Sequence, residues 1–101
     1  MSNQTGTNNA RRVGPVFRPG DLADAAVEAL EEDNPGKEFH VEDRGGYVRV
    51  DTDEECFIKR GTMADILGRP FQMQELETIL SSFTGRIEAD EDYMRFYLST
   101  S

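Results

Sequence analysis

The chain has 101 residues, enough for one domain, with 37% hydrophobic residues and a formal net charge of -9. So acidic a surface repels phosphate backbones and anionic membranes, which argues against nucleic acid and membrane as partners. No apolar run approaches the ~18 residues needed to cross a bilayer, no charged-then-apolar leader opens the chain, and the single Cys56 forbids an internal disulfide, so a cytoplasmic protein is expected.

The charge is uneven. The first twenty residues hold Arg11, Arg12 and Arg18 and no acid, leaving 20 acids against 8 bases in the remainder. Residues 1–12 read as a flexible tail, since Asn, Thr, Gly and Gln dominate Met1–Ala10 without apolar periodicity. Residues 13–101 read as a single domain. Val13–Phe17 is expected as a short strand, kept at a sheet edge by Pro15, which has no N–H to donate.

After the Pro19-Gly20 turn, Asp21 is the expected N-cap of a helix, with Asp24 three residues on. Leu22, Ala26, Ala29 and Leu30 form its core stripe, and Asn34-Pro35-Gly36 ends it. Glu31, Glu32 and Asp33 crowd its last turn, where the helix dipole favours cations. That crowding reads either as a solvated acidic face or as a contact for a basic partner patch.

Three strands are expected next. Glu38–Glu42 alternates, with Phe39 and Val41 on one face. Gly45-Gly46 makes a tight hairpin, and Tyr47–Val50 returns with Val48 and Val50 inward. Asp51–Glu55 reads as a second turn into Cys56–Lys59, where Cys56 is expected to be half-buried. Thr62 and Asp65 form a capping box for a short helix over Met63–Leu67, closed by Gly68. A further helix spans Gln72–Leu80, with Met73, Leu76, Ile79 and Leu80 as its apolar stripe. A closing hairpin places Phe83, Gly85 and Ile87 on one arm and Met94, Phe96 and Leu98 on the other, with Ala89–Asp92 as its turn. The fold class is therefore α+β: a compact single domain of antiparallel β-hairpins with about three helices packed against them.

Chemistry is sparse along this chain. His40, the lone histidine, reads as a titrating surface residue without a co-ligand, and Cys56 has no cationic sequence neighbour to lower its pKa. Iron–sulfur and carboxylate-bridged diiron sites need Cys sets or Glu-x-x-His pairs, and position 37 is Lys. Asp51–Glu55 matches a calcium loop poorly, because Cys56 stands at the required Gly. Gly45-Gly46 opens no helix and so cradles no phosphate. A glycosidase-like carboxylate pair among so many acids remains as an enzymatic alternative.

Several segments, taken in order, resemble the effector proteins of soluble diiron multicomponent monooxygenases, above all those of toluene monooxygenases. They are Val13-Gly14-Pro15 with Arg18, Gly20 and Asp21; Asp33–Glu38; Val41–Arg44 with Tyr47-Val48-Arg49; Leu67–Phe71 with Met73–Glu77; Ser82-Phe83 with Gly85; Ala89–Asp92; and Arg95-Phe96-Tyr97. The resemblance implies a non-catalytic subunit without a cofactor. It would bind the diiron hydroxylase of an aromatic-hydrocarbon monooxygenase, raising turnover, coupling and regiospecificity by reshaping the active-site channel. A Rieske-type ferredoxin and a reductase are implied as indirect partners. The stretch Ser81-Ser82-Phe83-Thr84-Gly85 resembles the segment that lies against the hydroxylase near the channel mouth. On the residues alone it reads as a helix exit, with Phe83 in the core in either case. Asn34, Lys37, Arg44, Tyr47 and Gln74, at loop tips or exposed faces, complete the candidate partner-binding set. The rival from another class is an acidic adaptor or inhibitor that docks on a basic partner surface.

Overall fold

The computed structural model describes residues 11–98, so most of the expected tail and the last three residues lie outside the described residues. The elements run β1 (Arg12–Phe17), α1 (Asp21–Asp33), β2 (His40–Asp43), β3 (Val48–Asp53), β4 (Glu55–Lys59), α2 (Arg60–Leu67), α3 (Met73–Ile79), β5 (Leu80–Thr84), β6 (Arg86–Ala89) and β7 (Tyr93–Tyr97). Two sheets result, of order β2-β3-β1-β5 and β4-β7-β6, and every pairing is antiparallel. The α+β architecture is as expected, and Arg12 already belongs to the first strand.

Strand alternation builds the core. Val48, Val50 and Thr52 of β3, Cys56 and Ile58 of β4, and Met94 and Phe96 of β7 point inward. The buried face of α1 is mostly alanine (Ala23, Ala25, Ala26, Ala29) with Leu30, which lets the helix lie close on β4 and α2. Buried Thr52 is satisfied by donating to the Glu38 carbonyl at 2.7 Å.

Pro15 does not hold β1 at an edge: the strand is central, between β3 and β5. The β1–β3 ladder pairs Val13 with Thr52 and then Val16 with Arg49, skipping Gly14 and Pro15. The missing N–H thus falls in a gap of the ladder. Close approach replaces hydrogen bonding there. Gly14 has φ 148°, and a Cβ on it would stand 2.0 Å from the Val50 carbonyl oxygen.

Other boundaries differ for tertiary reasons. The N-cap of α1 is Gly20, and Asp21 lies in the first turn beside Asp24, where both carboxylates face the positive end of the dipole. The strand expected over Glu38–Glu42 is His40–Asp43, and Val41 is 42% exposed, so it does not share a core face with Phe39. The acidic turn expected over Asp51–Glu55 is strand as far as Asp53, because Arg12 bonds Asp51 at 2.8 Å and Asp53 at 3.0 Å from the neighbouring strand. Only Glu54 turns, at φ 72°. Cys56 is fully buried rather than half-buried.

The helix expected over Met63–Leu67 begins at Arg60, and its Thr62 makes no capping box. The Thr62 hydroxyl instead donates to Asp33 Oδ1 at 2.7 Å, while Asp33 Oδ2 accepts from the Lys59 N–H at 2.8 Å. The acid that looked misplaced at the end of α1 therefore braces the start of α2, where a carboxylate is favoured. Gly68 closes α2 at φ 72°, its N–H bonded to the Ala64 carbonyl, as expected. Glu75 completes a capping box with Gln72 at the start of α3.

The expected arm running through Phe83, Gly85 and Ile87 is two strands in two sheets. At Gly85, φ 92°, the chain leaves β5 for β6, and a Cβ there would meet Val13 Cγ1 at 2.7 Å and the Tyr97 carbonyl oxygen at 2.8 Å.

Replacing Gly14 by Ala is expected to destabilise the domain by about 3 kcal/mol or more, since backbone lies on both sides of the contact. Gly46→Ala, at an open turn position, should change stability by less than about 0.5 kcal/mol. Urea unfolding checks both, with the midpoint moving for Gly14→Ala and the slope unchanged.

Candidate docking surface

The stretch expected to face a partner forms β5 and the Gly85 joint. Leu80, taken as the end of the preceding helix, is the first residue of this strand, and Ser81-Ser82 is strand rather than helix exit. Against β1, Thr84 pairs with Gly14, Phe83 with Pro15, Ser82 with Val16 and Leu80 with Phe17, with a register shift at Val16/Phe17. Among the described residues no strand pairs with its outer side, because β5 ends its sheet. Ser81, Ser82, Phe83, Thr84 and Gly85 are all exposed.

Phe83 is not a core residue. It is 40% exposed, with its ring tilted 48° against that of Phe96 at a centroid distance of 6.1 Å. Antiparallel pairing with β1, whose inner face is already filled by Val13 and Phe17, leaves Phe83 only a partial seat. An aromatic ring flanked by small hydroxyl side chains on an open edge is a surface suited to another protein.

The remaining candidates scatter. Arg44 and Tyr47 close the hairpin, the Arg44 N–H bonding the Tyr47 carbonyl at 2.9 Å. Arg44 pairs with Glu42 and holds its carboxyl below the usual range, while Arg49 lies 5.9 Å from the Tyr47 ring centroid. This hairpin belongs to β2 and β3, on the opposite side of the sheet from β5. Lys37 is exposed and donates to the Asp53 carbonyl at 2.5 Å. Gln74 lines an open groove of ≈ 580 Å³ between α3 and the acidic turn Asp90–Asp92.

Asn34 is not at an exposed loop tip. It is only 7% exposed, and its amide donates to the Leu30 carbonyl at 2.7 Å and the Phe57 carbonyl at 2.8 Å. Its oxygen accepts from the Phe57 N–H at 3.2 Å. Asn34 thus finishes α1 and pairs with the outer edge of β4 as a short surrogate strand. Nothing local in the sequence marked that role, since Phe57 lies 23 residues away.

Reactive groups do not converge. Among the described residues no three His, Cys, Asp or Glu side chains stand close enough to hold a metal ion. Burial pushes the Cys56 thiol up to about 12, away from nucleophilic use near neutrality. Among the described residues no helix is long and apolar enough to cross a membrane.

A model of the MmoB/DmpM family matches residues 11–97. The chain belongs to that family. The effector subunit of the alkene monooxygenase system of Xanthobacter autotrophicus is 47% identical over 98 residues, covering 96% of this chain and 97% of the relative. The stimulatory component DmpM of the phenol 2-monooxygenase of Pseudomonas sp. strain CF600 is 30% identical over 83 residues, covering 82% and 88%. In structure, a chain of a phenol hydroxylase–regulatory protein complex superposes with TM-score 0.75 at 28% identity, covering 88% of this chain and all of that one. The soluble methane monooxygenase regulatory protein B shares the fold, with TM-score 0.63 at 21% identity over 87% of this chain and 65% of its own. These MmoB/DmpM relatives are named effector, stimulatory or regulatory components, not catalytic ones.

Asn34→Ala should lower stability by about 2–3 kcal/mol, because it strands buried partners at Leu30 and Phe57. Once the variant is folded, its partner affinity should be unchanged; thermal unfolding beside a binding titration checks this. A second prediction concerns pH. Above an ordinary thiol pKa near 9, the unfolded chain loses a proton that the native state keeps until about 12. The thiol therefore contributes stability below about pH 9 that drains away on the alkaline side, by up to about 1.4 kcal/mol per pH unit. Wild type should lose stability relative to Cys56→Ala as pH rises through that window, as measured by denaturant midpoints.

Proposed function

We propose that this chain is the effector subunit of a multicomponent monooxygenase and that it acts by binding the diiron hydroxylase of its own system. The observation that carries this reading is the nearly end-to-end match to an alkene monooxygenase effector subunit, at 47% identity over 96% of one chain and 97% of the other. Docking on a hydroxylase is supported by the structural likeness to a chain of a phenol hydroxylase–regulatory protein complex. The open edge of β5, with Phe83 and its hydroxyl-bearing neighbours, supplies the surface.

An effector without reactive groups changes a reaction only by binding two states of its target unequally. A coupling of about 1–3 kcal/mol shifts populations by roughly 5–150-fold. Small side chains at Ser81, Ser82, Thr84 and Gly85 permit close backbone approach to helices beside the hydroxylase channel. The state they favour is the one with the channel shaped for productive substrate placement, which raises turnover, coupling and regiospecificity together. A Rieske-type ferredoxin and a reductase would deliver electrons to the same hydroxylase in the cytoplasm. For the substrate we propose an aromatic hydrocarbon of the toluene type, and the alkene monooxygenase relative favours an alkene as the second reading.

Reconstitution tests both parts. Titrating this chain into purified hydroxylase and its electron donors should raise product formed per NADH consumed, saturating near one effector per active site. Parallel assays on toluene and on a short alkene rank the substrates. Unchanged turnover and unchanged peroxide release across the titration would refute the effector role.

A further inference from the structure

The arginines divide into two groups. Seven of the nine are ion-paired: Arg11 with Glu54, Arg12 with Asp51 and Asp53, Arg44 and Arg49 with Glu42, Arg60 with Asp92, Arg69 with Glu75, and Arg95 with Glu55 and Glu88. Among the described residues only Arg18 and Arg86 pair with no carboxylate, and both are exposed. In a chain of 20 acids and 11 bases, leaving two arginines without a counter-charge runs against the mean field.

Their positions in the fold give this its meaning. The Arg18 N–H bonds the Ile79 carbonyl at 2.8 Å and its guanidinium reaches the Thr78 carbonyl, so it stands at the entry to β5. Arg86 follows Gly85, at the exit. The two unpaired arginines therefore bracket β5, roughly 20 Å apart at strand rise.

The strand between them differs from the other three sheet edges. Edge strands are ordinarily guarded by charge or covered, since their unpaired backbone invites other chains. In β2, His40, Glu42 and Asp43 do this; in β6, Arg86 and Glu88 do. In β4, Glu55 and Lys59 are charged, and Asn34 and Asp33 occupy the outer N–H and C=O groups of Phe57 and the Lys59 N–H. In β5, the sequence Leu80-Ser81-Ser82-Phe83-Thr84 holds no charge and no proline. It also carries Phe83, one of two large hydrophobic residues left exposed among the described residues.

We propose that Arg18 and Arg86 are the ionic anchors of a docking edge, and that the occupant is a surface of the hydroxylase presenting an uncharged strip with a carboxylate at each end. The proposal rests on the effector reading and specifies its chemistry. Despite a net charge of -9, this protein meets its partner through cations. The charge complementarity is local: an apolar centre at Phe83, a hydroxyl surround, and positive ends that reward acidic partner groups and set the register of binding. Arg18 can serve its partner while still donating to Thr78, because a guanidinium carries five donors in a fixed fork.

The test is binding of the full chain to purified hydroxylase, by stopped-flow and equilibrium titration at several salt concentrations. Arg86→Glu should weaken binding by about tenfold or more, mainly through slower association, and flatten the salt dependence. Arg86 holds no internal ion pair, so this variant should fold as wild type does, which far-ultraviolet circular dichroism verifies. Arg18→Glu should lose affinity similarly and Arg18→Lys should retain it, separating charge from the bond to Thr78. Lys59→Glu, on the other sheet, should change affinity by less than about twofold. If wild type binds but Arg86→Glu binds equally well, or Lys59→Glu weakens binding as much, the anchors are refuted while the effector role stands. If wild type neither binds nor raises turnover, the effector role itself fails.

Discussion

Two glycines form the joint on which this molecule is built. At Gly14 the backbone of β1 comes so near β3 that a methyl group would overlap the Val50 carbonyl. One pairing away, Gly14 meets Thr84 and the chain turns at Gly85, crowded by Val13 on one side and Tyr97 on the other. There the four-stranded sheet hands the chain to the three-stranded one. Nothing larger than hydrogen fits at either position, so the sheets hold one relative placement, and β5, ending at the joint, inherits it. For the proposed docking at β5, a strand held this way is preorganised, which reduces the ordering cost of association.

Polar groups reinforce the joint from outside the core. Asp33 and Asn34, the last residue of α1 and its cap, tie that helix to β4 and to the start of α2 through the bonds to Lys59, Thr62, Phe57 and Leu30. Arg12 ties β1 to β3 by gripping Asp51 and Asp53. These contacts turn residues that look like surface decoration into staples between elements. Ion pairs elsewhere engage seven of the nine arginines, and the other two stand beside β5.

Membership of the MmoB/DmpM family places the chain among proteins named effector, stimulatory or regulatory components, and the geometry fits the proposed action by contact. The thiol is buried and held protonated, acidic side chains are spread or braced, and the exposed aromatic residue lies on an open strand.

Local signals in the sequence determined much of this. Gly45-Gly46 specified a hairpin, Gly68 a helix end, and the alternation in Val48–Val50 and Met94–Phe96 the inward faces, because each depends on φ preferences or a period of two residues. The resemblance to effector proteins rested on something else, the order and spacing of short matching segments along the chain. What depended on distant partners was not. Pro15 could be central because its ladder gap lies opposite Val50, and Asp51–Asp53 is strand because Arg12 neutralises it from about forty residues away. Phe83 is exposed because Gly85 sends the next strand to another sheet, and Asn34 is buried because Phe57 needs its amide. Capping and periodicity are written within a few residues of chain, whereas burial, ion pairing and sheet order arise only when residues far apart in sequence compete for the same space.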